Sequence, residues 1–169
     1  MKLGLVVLRA IVGVLFIGHG TQKLFGWFEG EGLRDTGKSF DSLGLRPGAQ
    51  QATSAGVSET VGGALIATGF LTPVGCALIT GVMTQAIRTV HAGKGPWFTA
   101  GGWEYNVVLI AAVFAITELG PGDCSLDHAL DIEHSGALWA TPAVGVGMAA
   151  PVLATPALFV IAAKSGLPV

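Results

Sequence analysis

Charge is what this sequence has least of. Nine Lys and Arg and eleven Asp and Glu among 169 residues make 12%, about half the share of an average soluble domain. That excludes an ordinary hydrated surface. With 51% hydrophobic residues and a mean hydropathy of +0.65, the chain reads as an integral membrane protein of one-domain length. A net charge of −2 with no Lys/Arg run gives no reason to expect nucleic acid or a polybasic membrane patch. Two cysteines, Cys76 and Cys124, form no CxxC pair, which excludes a disulfide framework and a thioredoxin-like motif. Cys76 lies in an apolar stretch and reads as a small core residue. No CxxCH haem attachment, GxGxxG loop or P-loop is present, and no ExxH pair suggests a ferritin-like di-iron centre. Any electrons that pass through this protein would travel on a dissociable quinone or on another subunit. No internal repeat points to a transporter.

What the chain has instead is glycine, 26 residues of it, and long apolar runs. In lipid, small residues allow close helix packing. Apolar spans are expected over about residues 4–25, 49–71, 74–90 and 103–119, each near the length that crosses a bilayer. The N-terminal run lacks a clean small-x-small cleavage site and is read as a retained span. In the second span Ala52, Gly56, Thr60, Ala64 and Thr68 recur every four residues, a ridge for a neighbouring helix. Thr72-Pro73 punctuates a tight hairpin between the second and third spans. The longest loop, 29–48, is polar, with a short amphipathic piece around Lys38–Leu43. Residues 137–163 form a fifth apolar segment, long enough to span and kinked by Pro142, Pro151 and Pro156. The basic residues Lys23, Arg34, Lys38, Arg46, Arg88 and Lys94 fall on one side of this five-span order, so the positive-inside rule places the N-terminus outside.

Ionisable groups at membrane depth face the bundle interior or water and mark candidate sites. His19, Gln22 and Lys23 are i, i+3 and i+4, on one face of the first span. Antiparallel order brings that end of the span toward Glu59, Arg88, His91 and Glu104, and sends Arg9 the other way. Two readings of this centre stand side by side. In one it is an ion-pair network that holds the helices in register, because buried charges must be paired whatever the function. In the other, His19, Gln22, Lys23, Glu59, Arg88 and Glu104 bind a quinone headgroup or small anion. His19 and Lys23 would then donate hydrogen bonds, and Glu59, Glu104 or His19 would move protons.

The loop GDCSLDHALDIEHSG holds Cys124, Asp127, His128, Asp131, Glu133 and His134, with Ser125 placed to cap a short helix. Its i, i+4 pairs suit a metal, but such spacing is common by chance, and a solvated acidic helix is the better reading. Trp27, Trp97, Trp103 and Trp139 fit interfacial belts better than quinone stacking.

GLVVLRAIVGVLFIGHGTQKLFGWF resembles the first span of the DoxX family of small bacterial membrane proteins. Glu59 before GGALIATGFLTPVG, Glu104 opening the fourth span and GPGDCSLD after it agree with that family, so the resemblance covers about residues 1–130. It implies an all-α, transmembrane four-helix bundle in the bacterial inner membrane. Family members include subunits linked to thiosulfate:quinone oxidoreduction and to thiol or oxidative-stress complexes. Two departures stand out: Asp123 sits where many relatives are basic, and residues 131–169 form a C-terminal extension carrying the fifth helix. The resulting expectation is a membrane subunit of a quinone- or thiol/sulfur-linked redox system, embedded in the bilayer and associated with other subunits or itself. The alternative is a non-catalytic accessory subunit of a larger membrane complex, such as a respiratory assembly, with the extra helix docking on its partner.

Overall fold

The computed structural model describes residues 2–154, so the last part of the expected fifth span, 155–163 with Pro156, lies outside the described residues. Those residues form seven α-helices and no strand: α1 (Leu3–Phe25), α2 (Gly32–Ser42), α3 (Gly48–Thr68), α4 (Thr72–Ala86), α5 (Glu104–Leu119), α6 (Leu126–Ala129) and α7 (Ala137–Ala154). Two of them, α1 and α7, are long and apolar enough to cross a membrane by length and composition. The loop 29–48 holds a full helix, α2, three turns long rather than the short piece expected.

Glycine decides how α1 meets α3. A side-chain carbon on Gly13 would lie 2.5 Å from the carbonyl oxygen of Gly63, and one on Gly63 would lie 2.6 Å from that of Gly13. Gly20 faces Gly56 and Thr60 in the same way. Gly13 and Gly20 on one helix therefore oppose Gly63 and Gly56 on the other, in antiparallel order and seven residues apart. The four-residue ridge expected on α3 holds only in part. Ala52 and Gly56 are buried, but Thr68 is exposed. The physical reason is rotation: four residues overshoot a full turn by about 40°, whereas seven miss two turns by only about 20°. A heptad pair stays on one face and a long row of fours drifts off it.

The hairpin between α3 and α4 turns at Gly69 (φ 63°) and Leu71 (φ 45°), with Pro73 in the first turn of α4, where its missing N–H costs nothing. Helix α5 runs back along α4, with Asn106 Nδ2 3.4 Å from Met83 Sδ. Gly136 N–H donates to Glu118 O (2.8 Å), which turns the chain into α7. Helix α7 then lies parallel to α4: Gly147 abuts Ala77 and Thr80, and Arg88 Nη1 donates to Pro151 O at 2.7 Å. The shared core draws Phe16 from α1, Ile66 from α3, Ile79 from α4, Val113 and Ile116 from α5 and Ala143 from α7. Outward faces are apolar too, with Val7, Ile11 and Val14 of α1 and Leu138, Val146 and Leu153 of α7 all exposed.

At the end of the bundle that holds the N-terminus of α1, Arg9 is 2% exposed. Its guanidinium donates to the carbonyls of Ile66, Ala67, Pro121 and Cys124. Asp127 is fully buried beside it and caps α4 from afar, accepting from Leu71 N (2.8 Å), Thr72 N (3.3 Å) and Thr72 Oγ1 (3.1 Å). Ser125 caps α6, accepting from His128 N at 3.1 Å. The solvated acidic helix expected here is thus corrected at Asp127: α4 has Leu71 at its start, which offers no capping oxygen, so the first donors of the helix are met by a carboxylate 55 residues further on.

Candidate functional site

A cavity of about 500 Å³ opens between α1 and α3 on one side and α4, α5 and α7 on the other, at the end of the bundle opposite Arg9. Its walls are mostly apolar side chains, among them Phe16, Val82, Met83 and Leu109, and Phe40 of α2 with Leu43 just after that helix covers it. That size and lining suit a small lipophilic molecule held by a few polar groups.

Lys23 and Glu59 supply the charged part of the wall. Lys23 Nζ lies 2.7 and 2.9 Å from the two oxygens of Glu59, whose side chain is 4% exposed against 24% for Lys23. The remaining ammonium proton points to His19 O at 3.4 Å. An ammonium has three N–H donors, so none remains for a ligand. The short residues around this pair make it possible: Gly20 and Gly56 let the two backbones approach closely enough for a lysine to reach back along α3.

The other expected residues divide. His19 lines the cavity, with Nδ1 3.2 Å from Gln22 Oε1, while Gln22 Nε2 donates to Phe28 O at 3.2 Å. His91 also lines it, its Nδ1 2.7 Å from Gly101 O. His91 ends a π-helical turn, Ile87–His91, that continues α4. Such a turn inserts an extra residue, and they recur at functional sites. Here it lets Arg88 reach across to α7 while His91 keeps to the cavity side. Arg88, bonded to Gln85 Oε1 (3.2 Å) and Pro151 O, is not part of the cavity wall. Glu104 is not either. Its carboxylate accepts from Phe98 N at 2.6 Å, closing the compact loop 95–104 that also supplies Gly101 O to His91. An acidic residue in the first turn of α5 finds unpaired backbone N–H groups closer at hand than any distant cation. None of the four tryptophans lines the cavity; Trp27, Trp97 and Trp139 are exposed, and Trp139 packs edge-on against His134. Among the described residues no three His, Cys, Asp or Glu side chains converge as metal ligands.

The sequence reading missed the cover and the far wall. Phe40 and Leu43 belong to a loop whose polarity hid a three-turn helix, and Tyr105 and Asn106 stand beside Glu104, which drew attention by its charge. The signal for α2 was Asp35 and Lys38 at i, i+3, joined by a 2.6 Å ion pair.

Comparison with known proteins adds a family to this geometry. The family profile described as DoxX matches residues 4–92. A protein of Bacillus subtilis (strain 168) named "Putative oxidoreductase CatD" is 29% identical over 116 residues, covering 69% of this chain and 80% of its own. No solved structure matches the chain. The profile covers more than half of the chain, from the start of α1 through the turn that carries His91, and takes in both members of the Lys23–Glu59 pair. The chain belongs to the DoxX family.

Proposed function

We propose that this protein is a multi-pass protein of the bacterial inner membrane whose cavity binds a quinone-class ligand, as the membrane subunit of a quinone- or thiol/sulfur-linked redox system. In this reading α1, α3, α4 and α5 are the four-helix membrane bundle, α7 is a fifth spanning helix, and the lipid bilayer covers the apolar faces of α1 and α7. The basic end, with Lys23, Arg34, Lys38 and Arg88, faces the cytoplasm.

The observation that carries the reading is the cavity itself: about 500 Å³, largely apolar, with a charged pair and two imidazoles gathered at its wall. A purely structural ion pair needs no adjoining void. A quinone ring with a short apolar tail fits such a space, and polar groups confined to one wall orient its head. The printed name of the Bacillus relative, an oxidoreductase, is in keeping with it.

The test is binding of a short-chain benzoquinone to protein purified in mild detergent, followed by its reduction with a thiol or thiosulfate donor. Saturable binding that weakens in Glu59→Gln, and turnover in the protein or in its native complex, are expected. If no quinone binds, while a larger assembly co-purifies and is lost on deletion of 137–169, the accessory-subunit reading replaces this one.

A further inference from the structure

We infer that the cavity selects the reduced, hydroxyl-bearing form of its ligand, a hydroquinone over a quinone. The inference rests on the reading of the cavity as a quinone-class site and concerns which of the two redox forms its hydrogen-bonding groups fit.

The assignment follows from donors and acceptors alone. A backbone carbonyl only accepts. Phe28 O therefore faces the amide nitrogen of Gln22, at 3.2 Å, and this turns Gln22 Oε1 toward His19. Oε1 also only accepts, so the proton in its 3.2 Å contact sits on His19 Nδ1. A neutral imidazole carries one N–H, and Nε2 of His19 is left as a bare acceptor. His91 obeys the same logic without an intermediary. Its Nδ1 lies 2.7 Å from Gly101 O, so Nδ1 holds the proton and Nε2 presents a lone pair. Both histidines line the cavity.

The other lining groups do not reverse this polarity. All three protons of Lys23 are engaged by Glu59 and by His19 O. Asn106 Nδ2 directs one of its two protons to Met83 Sδ, so Asn106 can still both donate and accept. The hydroxyls of Ser54, Ser58 and Tyr105 and the amide of Gln51 donate or accept alike. Gln85 Oε1 is taken by Arg88 Nη1, so its amide nitrogen is a donor, from which a hydroquinone hydroxyl accepts as a quinone carbonyl does. A quinone brings only carbonyl oxygens, which meet lone pairs at both imidazoles. A hydroquinone brings O–H donors, which those lone pairs accept.

The experiment is anaerobic calorimetric titration of the full chain in mild detergent, in a mildly alkaline buffer, with a decyl-substituted benzoquinone and with its hydroquinone. The hydroquinone is expected to bind about tenfold tighter, the size of effect that one or two neutral hydrogen bonds produce. In His91→Asn the side-chain amide keeps a donor for Gly101 O but removes the acceptor on the cavity side, and this variant, like His19→Asn, should narrow the ratio to about two- or threefold. Nitrogen NMR of the histidines should show Nδ1–H tautomers at both positions. Equal affinity for the two forms, tighter binding of the quinone, or an Nε2–H tautomer at His91 overturns the inference and leaves the cavity reading intact. Binding of neither form overturns both.

Discussion

Remove the lysine from the Lys23–Glu59 pair, and the protein should lose more stability than when the glutamate loses its charge. The two partners are unequal: the Glu59 side chain is 4% exposed and that of Lys23 is 24% exposed. Lys23→Met leaves a buried carboxylate without its one cation and without the two hydrogen bonds, at 2.7 and 2.9 Å, that the cation made. Breaking a buried pair in this way costs about 3–5 kcal/mol. Glu59→Gln leaves an ammonium on a flexible stem that can turn its head toward the interface, and the amide oxygen still accepts one bond. Its cost is about 1–2 kcal/mol, near that of a single charged hydrogen bond. In the double variant no charge is stranded, so its stability should lie close to that of Glu59→Gln and well above the sum of the single losses. Thermal unfolding in mild detergent reads this out, since about 1 kcal/mol corresponds to roughly 2–4 °C in a chain of this size. Lys23→Met should fall furthest, by roughly 6–20 °C. Equal losses for the two single variants, with the double variant showing their sum, would refute the claim that the pair is coupled and that Glu59 is its buried member.

Other outcomes follow from particular contacts. Gly63→Ala should destabilise by about 1–3 kcal/mol, because the added carbon meets Gly13 O at 2.6 Å and Ile17 N at 2.8 Å, whereas Gly18→Ala, with nothing within 4 Å, should be neutral or stabilising in the same unfolding assay. Asp127→Ala should lower stability by about 2–4 kcal/mol, since Leu71 N, Thr72 N and Thr72 Oγ1 all lose their acceptor, and amide exchange at the start of α4 should quicken well before that of α1. The hydrogen bond and charge of Lys38 hold the exposed Asp35 carboxyl below its usual range. The sign follows: this contribution to α2 is present above the ordinary carboxylate pKa and is lost as pH falls through the lowered value, so acidification should raise exchange in α2, and Lys38→Met should abolish that pH dependence.

Much of this site was legible in order and lost in detail. Antiparallel helices of similar length put Lys23 within a side chain's reach of Glu59 and carried Arg9 to the opposite end, and both placements depend on counting residues along helices. Glu104 and Arg88 stand at the expected level of the bundle, yet local partners took them: Phe98 N–H for the one, Gln85 and Pro151 O for the other. Sequence spacing says which groups are within reach, and it cannot rank a backbone donor six residues away against a cation on another helix. The same limit applied to Asp127. Its acidic neighbours suggested hydration, while its partner was an uncapped helix start far off in the chain.

The sequence by itself determined the all-helical class of the protein, the order of its long helices and the end of the bundle where polar groups gather. Those follow from composition and from periodicity, which act along the chain. Tertiary structure alone decided which glycines touch, that α2 folds over the cavity, which acceptors His19 and His91 meet, and that a space of about 500 Å³ adjoins the ion pair. Those depend on how side chains from separate helices compete for the same donors and the same volume, and that competition is settled only when the helices pack.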